Sequence, residues 1–449
     1  MLKEMLKYPV RVATRFAPAF VRRELRRLER HAPALRNRIE AAIREAVAVS
    51  NRGDNERAEA LLIKAAALDP GYYDIVAHLG RVRFLRERKL DPAARERDVE
   101  MLAAVASMNR ELTSERNIYG AASFWETYGK FHVQLLERYG VENLKRTLSH
   151  HYQNWCMVSN EDPQVRRLHQ TWLSNFDLEP WRNAIEAPTH VGVHESLGFD
   201  DPRYPLADPE KREVYRVAVG LLWEHVLRTD GFGVLSRLSE SEIGNPVRIW
   251  RHGSLISSDL AHSVRERNLL LEAVGNDGGE PLLVGELGGG HGRLAEVFGR
   301  TTNHRYFIFD IAPALYVSQW YVKAIFPNEK VFQFRHFDSF DEIRRELDGC
   351  RFAFFTANQI EKIPSDYLDV FINLNSLQEM RIDQIQNFLA QIDRVTSKAF
   401  LSRQWSEKMD HLNNVRVTKD LFRMSARWRL VLDRVDDISP ESFNQIWLR

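Results

Sequence analysis

The stretch Leu283-Val284-Gly285-Glu286-Leu287-Gly288-Gly289-Gly290-His291-Gly292-Arg293 decides the reading of this chain. An apolar run fit for a strand enters a glycine-rich turn, and a helical pattern follows. Glycine serves where the backbone must turn sharply and let a ligand come close, and the next helix start offers amide donors. Three ligand classes use such a turn. A phosphate-binding P-loop ends in Gly-Lys-Ser/Thr, which is absent here. The dinucleotide pattern G-x-G-x-x-G fits Gly288 and Gly290 but meets Arg293 where its third glycine belongs. What remains is E-x-G-x-G-x-G, formed by Glu286, Gly288, Gly290 and Gly292.

Outward from this turn, the texture after about Gly275 alternates short apolar runs with helical stretches, the pattern of an α/β unit with a mostly parallel sheet. The expected strands are Pro281–Glu286, Arg305–Asp310, Arg351–Ala357, Leu368–Asn373, Ala399–Arg403, Trp428–Val435 and Phe443–Leu448. Helices are expected near Gly292–Phe298, Pro313–Phe326, Ile382–Val395 and Thr418–Met424. Only the turn Ile438-Ser439-Pro440 separates the last two strands, so they should pair antiparallel. The second strand ends in Asp310, 24 residues after Glu286. Adjacent-strand geometry puts this carboxylate where it can accept both hydroxyls of a ribose.

The glycine turn resembles the first motif of class I S-adenosylmethionine-dependent methyltransferases. Two later segments narrow the likeness: Tyr306-Phe307-Ile308-Phe309-Asp310-Ile311-Ala312-Pro313-Ala314-Leu315, and Asp369-Val370-Phe371-Ile372-Asn373-Leu374-Asn375-Ser376-Leu377-Gln378-Glu379-Met380. With Leu144-Lys145-Arg146-Thr147 and Gly253–Glu266, they resemble a bacterial sugar O-methyltransferase family over about residues 115–449. The resemblance implies a Rossmann-like methyltransferase domain at the C-terminus, preceded by a mainly α-helical half. It implies S-adenosylmethionine as cofactor and a saccharide or glycoconjugate as acceptor. The cofactor residues carried over are Glu286, Gly288, Gly290, Gly292, Asp310 and Asn373, with Asn358 and Gln359 near adenine. An acidic residue often holds that adenine position in related enzymes, and Asp338 competes for it.

A sugar hydroxyl is a poor nucleophile, so a general base should sit within hydrogen-bond reach of it. Placement nominates three residues. Glu379 lies beyond the fourth strand, at the carboxyl edge where open α/β sheets bind ligands; its structural alternative is to cap the next helix. His291 lies inside the glycine turn, where another side chain could equally stand. Asp259, with His262, lies just before the α/β region, where both residues could instead brace a helix junction. No tight His/Asp/Glu spacing suggests a metal.

The N-terminal half reads as helices. Gly53, Ala58, Ala65 and Pro70, followed by Leu79-Gly80, match the spacing of a tetratricopeptide helical pair, with a plain helical hairpin as the alternative. The expected domains are a repeat-like module at 1–114, a helical substrate or lid domain at 115–265, and the cofactor domain at 266–449. The middle segment is rich in aromatics, Trp125 among them, which serve either as core or as a sugar-stacking and lid surface. A scaffold, with the first module binding a protein partner and the α/β domain inert, is the competing reading. Residues 1–40 carry eleven Lys/Arg against four Glu, so a basic amphipathic helix over 1–30 could dock on an anionic membrane face.

In the whole 449-residue chain, 63 basic residues balance 62 acidic ones, which gives no field that favours nucleic acid. The two cysteines, Cys156 and Cys350, stand alone and far apart, so a disulfide framework is excluded and a reducing, cytoplasmic compartment is expected.

Overall fold

The computed structural model describes residues 19–69, 72–113, 117–148, 157–174, 197, 204–275, 280–410 and 415–449. Residues 1–18 of the basic block, the Pro70-Gly71 turn, Trp155, Cys156 and Trp181 lie outside them. The described residues form two compact units, the first running to Leu90 and including Leu197, the second holding every element from Pro92 onward.

The first unit is three helices, α1 (Ala19–Asn51), α2 (Asn55–Ala66) and α3 (Tyr73–Leu90). Asp54 caps α2 by accepting the Arg57 amide at 3.1 Å, satisfying one of the donors a helix start leaves free. Ile39, Ile43, Ala46 and Val49 of α1 recur at helical spacing and bury against Ala58, Leu62 and Ala65 of α2 and Ile75 and Val82 of α3.

The second unit begins with helices α4 (Pro92–Thr113), α5 (Ser123–Tyr139), α6 (Pro163–Ser174) and α7 (Pro209–Thr229). A hairpin of β1 (Ile249–Arg251) and β2 (Ser254–Ile256) leads into α8 (Ser258–Val274). Then follow β3 (Leu283–Leu287), α9 (Arg293–Thr301), β4 (Arg305–Asp310), α10 (Ala314–Ile325), β5 (Val331–Phe332), β6 (Phe352–Thr356), β7 (Leu368–Leu374), α11 (Ile382–Val395) and β8 (Thr396–Trp405). The chain closes with the hairpin β9 (Glu407–Asp410) and β10 (Val415–Thr418), then β11 (Arg429–Val435) and β12 (Ser442–Leu448).

One sheet of eight strands runs β11-β12-β8-β7-β3-β4-β6-β5. All of its pairings are parallel except those of β12, which is antiparallel to both β11 and β8. This is the mostly parallel α/β sheet expected from the alternating pattern, in the Rossmann-like arrangement that the resemblance implies. β3, β4, β6 and β7 are buried almost throughout because both faces are covered, which explains their continuous apolar runs. Phe309 stacks on Phe355 and Phe371, and Phe307 tilts against Phe355, in one aromatic layer of that core. The chain leaves β3 toward β4 on one side and returns to β7 on the other, so the β3/β7 boundary is the topological switch point. Ligands bind outside the strand ends there.

Three expectations change. The unit boundary falls at Leu90 rather than 114, because α4 joins the sheet: Leu112 enters the aromatic core, and Glu111 accepts from Asn358 and Lys362. No unit boundary falls at 265, since α8 runs through it and Arg265 pairs with Asp436, and Ser263 with Arg293, across it. Thr418–Met424 is not a helix but a strand end and one 3-10 turn, Lys419–Phe422, with β-branched Val417 buried in a hairpin. No helix among the described residues is long and apolar enough to cross a membrane.

Candidate active site

Strand register brings the predicted carboxylates to one edge. Glu286 pairs across from Ile308 and Leu287 from Phe309, so Asp310 ends one position beyond β3; on the other side Leu287 lies opposite Asn373. Between these strand ends lies a cleft of about 1080 Å³, open to solvent. Its floor is Glu286 to His291 with Arg293, and its sides are Asp310, Ile311 and Ala357 on one flank and Leu374 to Ser376 with Glu379 and Met380 on the other. Tyr119 to Ala122 and Trp125 also line it.

The glycines are needed by geometry. Gly288 has φ +77°, and a Cβ there would lie 2.5 Å from Ser376 Oγ, at the switch point itself. Gly292 has φ +89° as it hands the chain to α9. Gly288→Ala should therefore strain the turn and push β7 from β3, costing at least about 1–2 kcal/mol for the left-handed backbone alone. A melting curve of the variant, read beside its ligand binding, measures this.

Asp310 is 7% exposed and uses each carboxylate oxygen once: Oδ2 accepts Gly290 N at 3.1 Å and Oδ1 accepts Ile311 N at 2.7 Å. Each oxygen keeps lone-pair capacity for a further donor. Burial, with Glu379 nearby, outweighs these two bonds and pushes its pKa up to about 7. Glu286 is also pushed to about 7 by burial, against the opposing pull of Arg293 and a 3.0 Å bond from the Tyr306 hydroxyl.

Glu379 is half-buried and accepts Trp125 Nε1–H at 2.7 Å. Burial raises its pKa, with Lys408 and the indole bond opposing. It does not cap α11, whose first turn is closed by Gln384 accepting the Arg381 amide at 3.1 Å. His291 lines the cleft with its ring edge-on to Tyr321, and burial together with Lys145 and Arg293 lowers its pKa to about 3. Its imidazole is therefore neutral and a weak base.

The remaining predicted residues lie elsewhere. Asp259 is 3.9 Å from His291 Nε2 but lines a separate small cavity with Lys145, Glu240 and Tyr215. His262 faces Arg265 at 3.3 Å, inside a cluster of buried charges. Asn358 and Gln359 turn their amides to the protein: Asn358 donates to the Glu111 carbonyl at 3.1 Å, and Gln359 donates to the Arg335 carbonyl at 2.9 Å. The cleft touches neighbouring Ala357 instead. Asp338 is exposed and pairs with His336 at 3.1 Å. Asn373 is wholly buried and ties strand ends together, donating to the Leu287 carbonyl at 2.9 Å and accepting from Leu377 N and Gln404 Nε2. It braces the cleft from behind.

Reasoning on the glycine turn missed Tyr119, Asn375, Ser376 and Gln384. Asn375 and Ser376 sit within the Asn373–Met380 stretch already singled out. Asn375 holds φ +60°, a left-handed conformation that asparagine tolerates and that clusters at functional sites.

No protein-family model and no curated protein matches the chain. Among solved structures, it is similar to magnesium protoporphyrin IX methyltransferase from Synechocystis PCC 6803 with bound SAH, at 12% identity over 42% of this chain and 85% of that one, TM-score 0.30. It is also similar to 1,6-didemethyltoxoflavin-N1-methyltransferase from Burkholderia thailandensis, at 16% identity over 43% and 80%, TM-score 0.30. The PH0226 protein of Pyrococcus horikoshii OT3 is 12% identical over 43% and 92%, TM-score 0.31. These likenesses are too distant to decide a ligand or a reaction.

Proposed function

We propose that this chain is an S-adenosylmethionine-dependent O-methyltransferase acting on a sugar hydroxyl. The observation that carries the cofactor is the convergence of Glu286, the Gly288–Gly290 turn and Asp310 on one cleft at the switch point. The residues fit that group. Asp310 has acceptor capacity for ribose hydroxyls, the glycine turn leaves room for close approach, and Ile311 and Ala357 give an apolar flank for a base ring. Glu286 offers a carboxylate toward the amino-acid end. When bound, the cofactor supplies an electrophilic methyl group on a sulfonium. The protein's tasks are to hold donor and acceptor in line, which contributes up to about 7–11 kcal/mol, and to receive the hydroxyl proton. Glu379 suits the second task because it lies in the same cleft and burial raises its basicity. The sugar assignment rests on the family resemblance of the Asn373–Met380 stretch.

Calorimetry tests the cofactor. Wild type should bind S-adenosylmethionine and not NAD, and Asp310→Ala should bind at least roughly 10²-fold more weakly, from two charge-assisted hydrogen bonds of about 1.5–3 kcal/mol each. Asp310→Asn, with melting curves, separates this loss from slackening of the turn. The ionised carboxylates are the binding form, so affinity should rise with pH through about 7, where Asp310 and Glu286 titrate, with protons released on binding. Absence of binding to folded wild type overturns the reading. Transfer of labelled methyl to another acceptor class, with none to any saccharide, overturns the sugar.

A further inference from the structure

One contact in the cleft joins residues 254 positions apart: the Trp125 indole N–H and the Glu379 carboxylate. The indole has one donor and no acceptor, so its use here fixes ring and carboxylate together. The ring is braced by two aromatic neighbours on its own helix. Tyr128 packs edge-on at 6.2 Å and His132 at 5.9 Å, and Trp125 remains half-buried at the cleft wall. The strap before α5 is clamped as well. Gln384 Nε2 donates to the carbonyls of Ile118 at 2.9 Å and Gly120 at 2.8 Å, and the Tyr119 hydroxyl donates to Glu361 at 2.5 Å. The donor is thus aimed at Glu379 by contacts that do not involve Glu379.

Resting on the methyltransferase reading, we propose that Trp125 is a positioning residue that acts through Glu379. It occupies Oε2, so that the acceptor hydroxyl meets Oε1, which would take its proton as the hydroxyl oxygen bonds to the methyl and the methyl–sulfur bond breaks, its electron pair leaving on sulfur as a neutral thioether. The other charged groups facing Glu379 are Asp310 at the end of β4 and Lys408 on β9. Trp125 differs from both because it is neutral and directional. It stabilises the ionised carboxylate without adding charge beside a cationic sulfonium.

Two measurements test this on the full-length chain. In protein labelled with 5-fluorotryptophan, the fluorine resonance that vanishes in Trp125→Phe should shift as pH is varied between about 5 and 9, and stop shifting in Glu379→Gln. A Trp125 resonance indifferent to both overturns the proposal. In transfer assays with a panel of methyl glycosides, Trp125→Phe should lower kcat roughly 10-fold to 100-fold and move the acid limb of its pH profile upward. S-adenosylmethionine affinity should stay unchanged, and Trp125→His, which restores a ring N–H, should recover part of the rate. An unmoved acid limb overturns the proposal even if the rate falls. Failure of wild type to bind S-adenosylmethionine sinks the underlying reading instead, and the fluorine titration still reports the pair.

Discussion

Glu379→Gln should lower kcat by roughly 10²–10⁴-fold while leaving S-adenosylmethionine affinity within about threefold of wild type. Glutamine matches the volume and keeps an acceptor for the Trp125 indole, so the turn Leu377–Glu379 should hold. What is lost is a site for a proton. In wild type the rate should fall as pH drops, because the base works only when ionised and burial has raised its pKa above the ordinary glutamate range. In Glu379→Gln that acid limb should disappear. His291 is the internal control. With its pKa lowered to about 3 it gains little by accepting a proton near neutrality, so His291→Asn should cost far less rate than Glu379→Gln. If the two variants are equally impaired, or if Glu379→Gln loses stability instead of rate, Glu379 is a structural residue.

The parts of this site that could be read from sequence are those built within a short stretch of chain. Glu286, Gly288 and Gly292 follow one another through a strand, a turn and a helix start. Asp310 follows from the next strand because parallel pairing of fully buried strands leaves little freedom of register. The β11–β12 antiparallel pair was legible for the same reason, being two strands and one turn. Long-range partners were not legible. Trp125 and Tyr119 reach the cleft from more than 160 residues before the glycine turn, and no local pattern marks which aromatic of an aromatic-rich segment will do so. The partners of Asn358 and Gln359 were not legible for a related reason. Their amides follow β6 as expected, but α4 arrives from the N-terminal side and brings Glu111 to Asn358. Asp259 follows the Ser257 cap into the first turn of α8, so its placement beside Lys145 and Glu240 depends on where that helix docks.

Glu266→Ala should destabilise the second unit by about 3–5 kcal/mol, seen as a lower urea midpoint, although Glu266 lines no part of the cleft. Its two oxygens hold two buried cations. Oε2 accepts Arg293 Nη1 at 2.6 Å, and Oε1 accepts Arg293 Nη2 at 3.2 Å and Arg403 Nη1 at 3.0 Å. The three side chains are at most 12% exposed. The net worth of such a cluster against an apolar core is small, because desolvating the charges offsets most of their attraction. Removing the anion alone is a different event. Arg403 keeps Ser439 at 2.8 Å and Asp436 at 3.5 Å, but Arg293 keeps only the Ser263 hydroxyl at 2.7 Å among its close partners on α8. Arg293 is the first residue of α9 and follows Gly292, so the orphaned charge lies where the glycine turn is anchored. The stability loss should therefore be accompanied by weaker S-adenosylmethionine binding, smaller than that of Asp310→Ala. Glu266→Gln should recover little, since its amide must turn an N–H toward one of the two guanidinium groups. A loss below about 1 kcal/mol in Glu266→Ala would mean that water reaches Arg293 and that the turn is held by its backbone bonds alone.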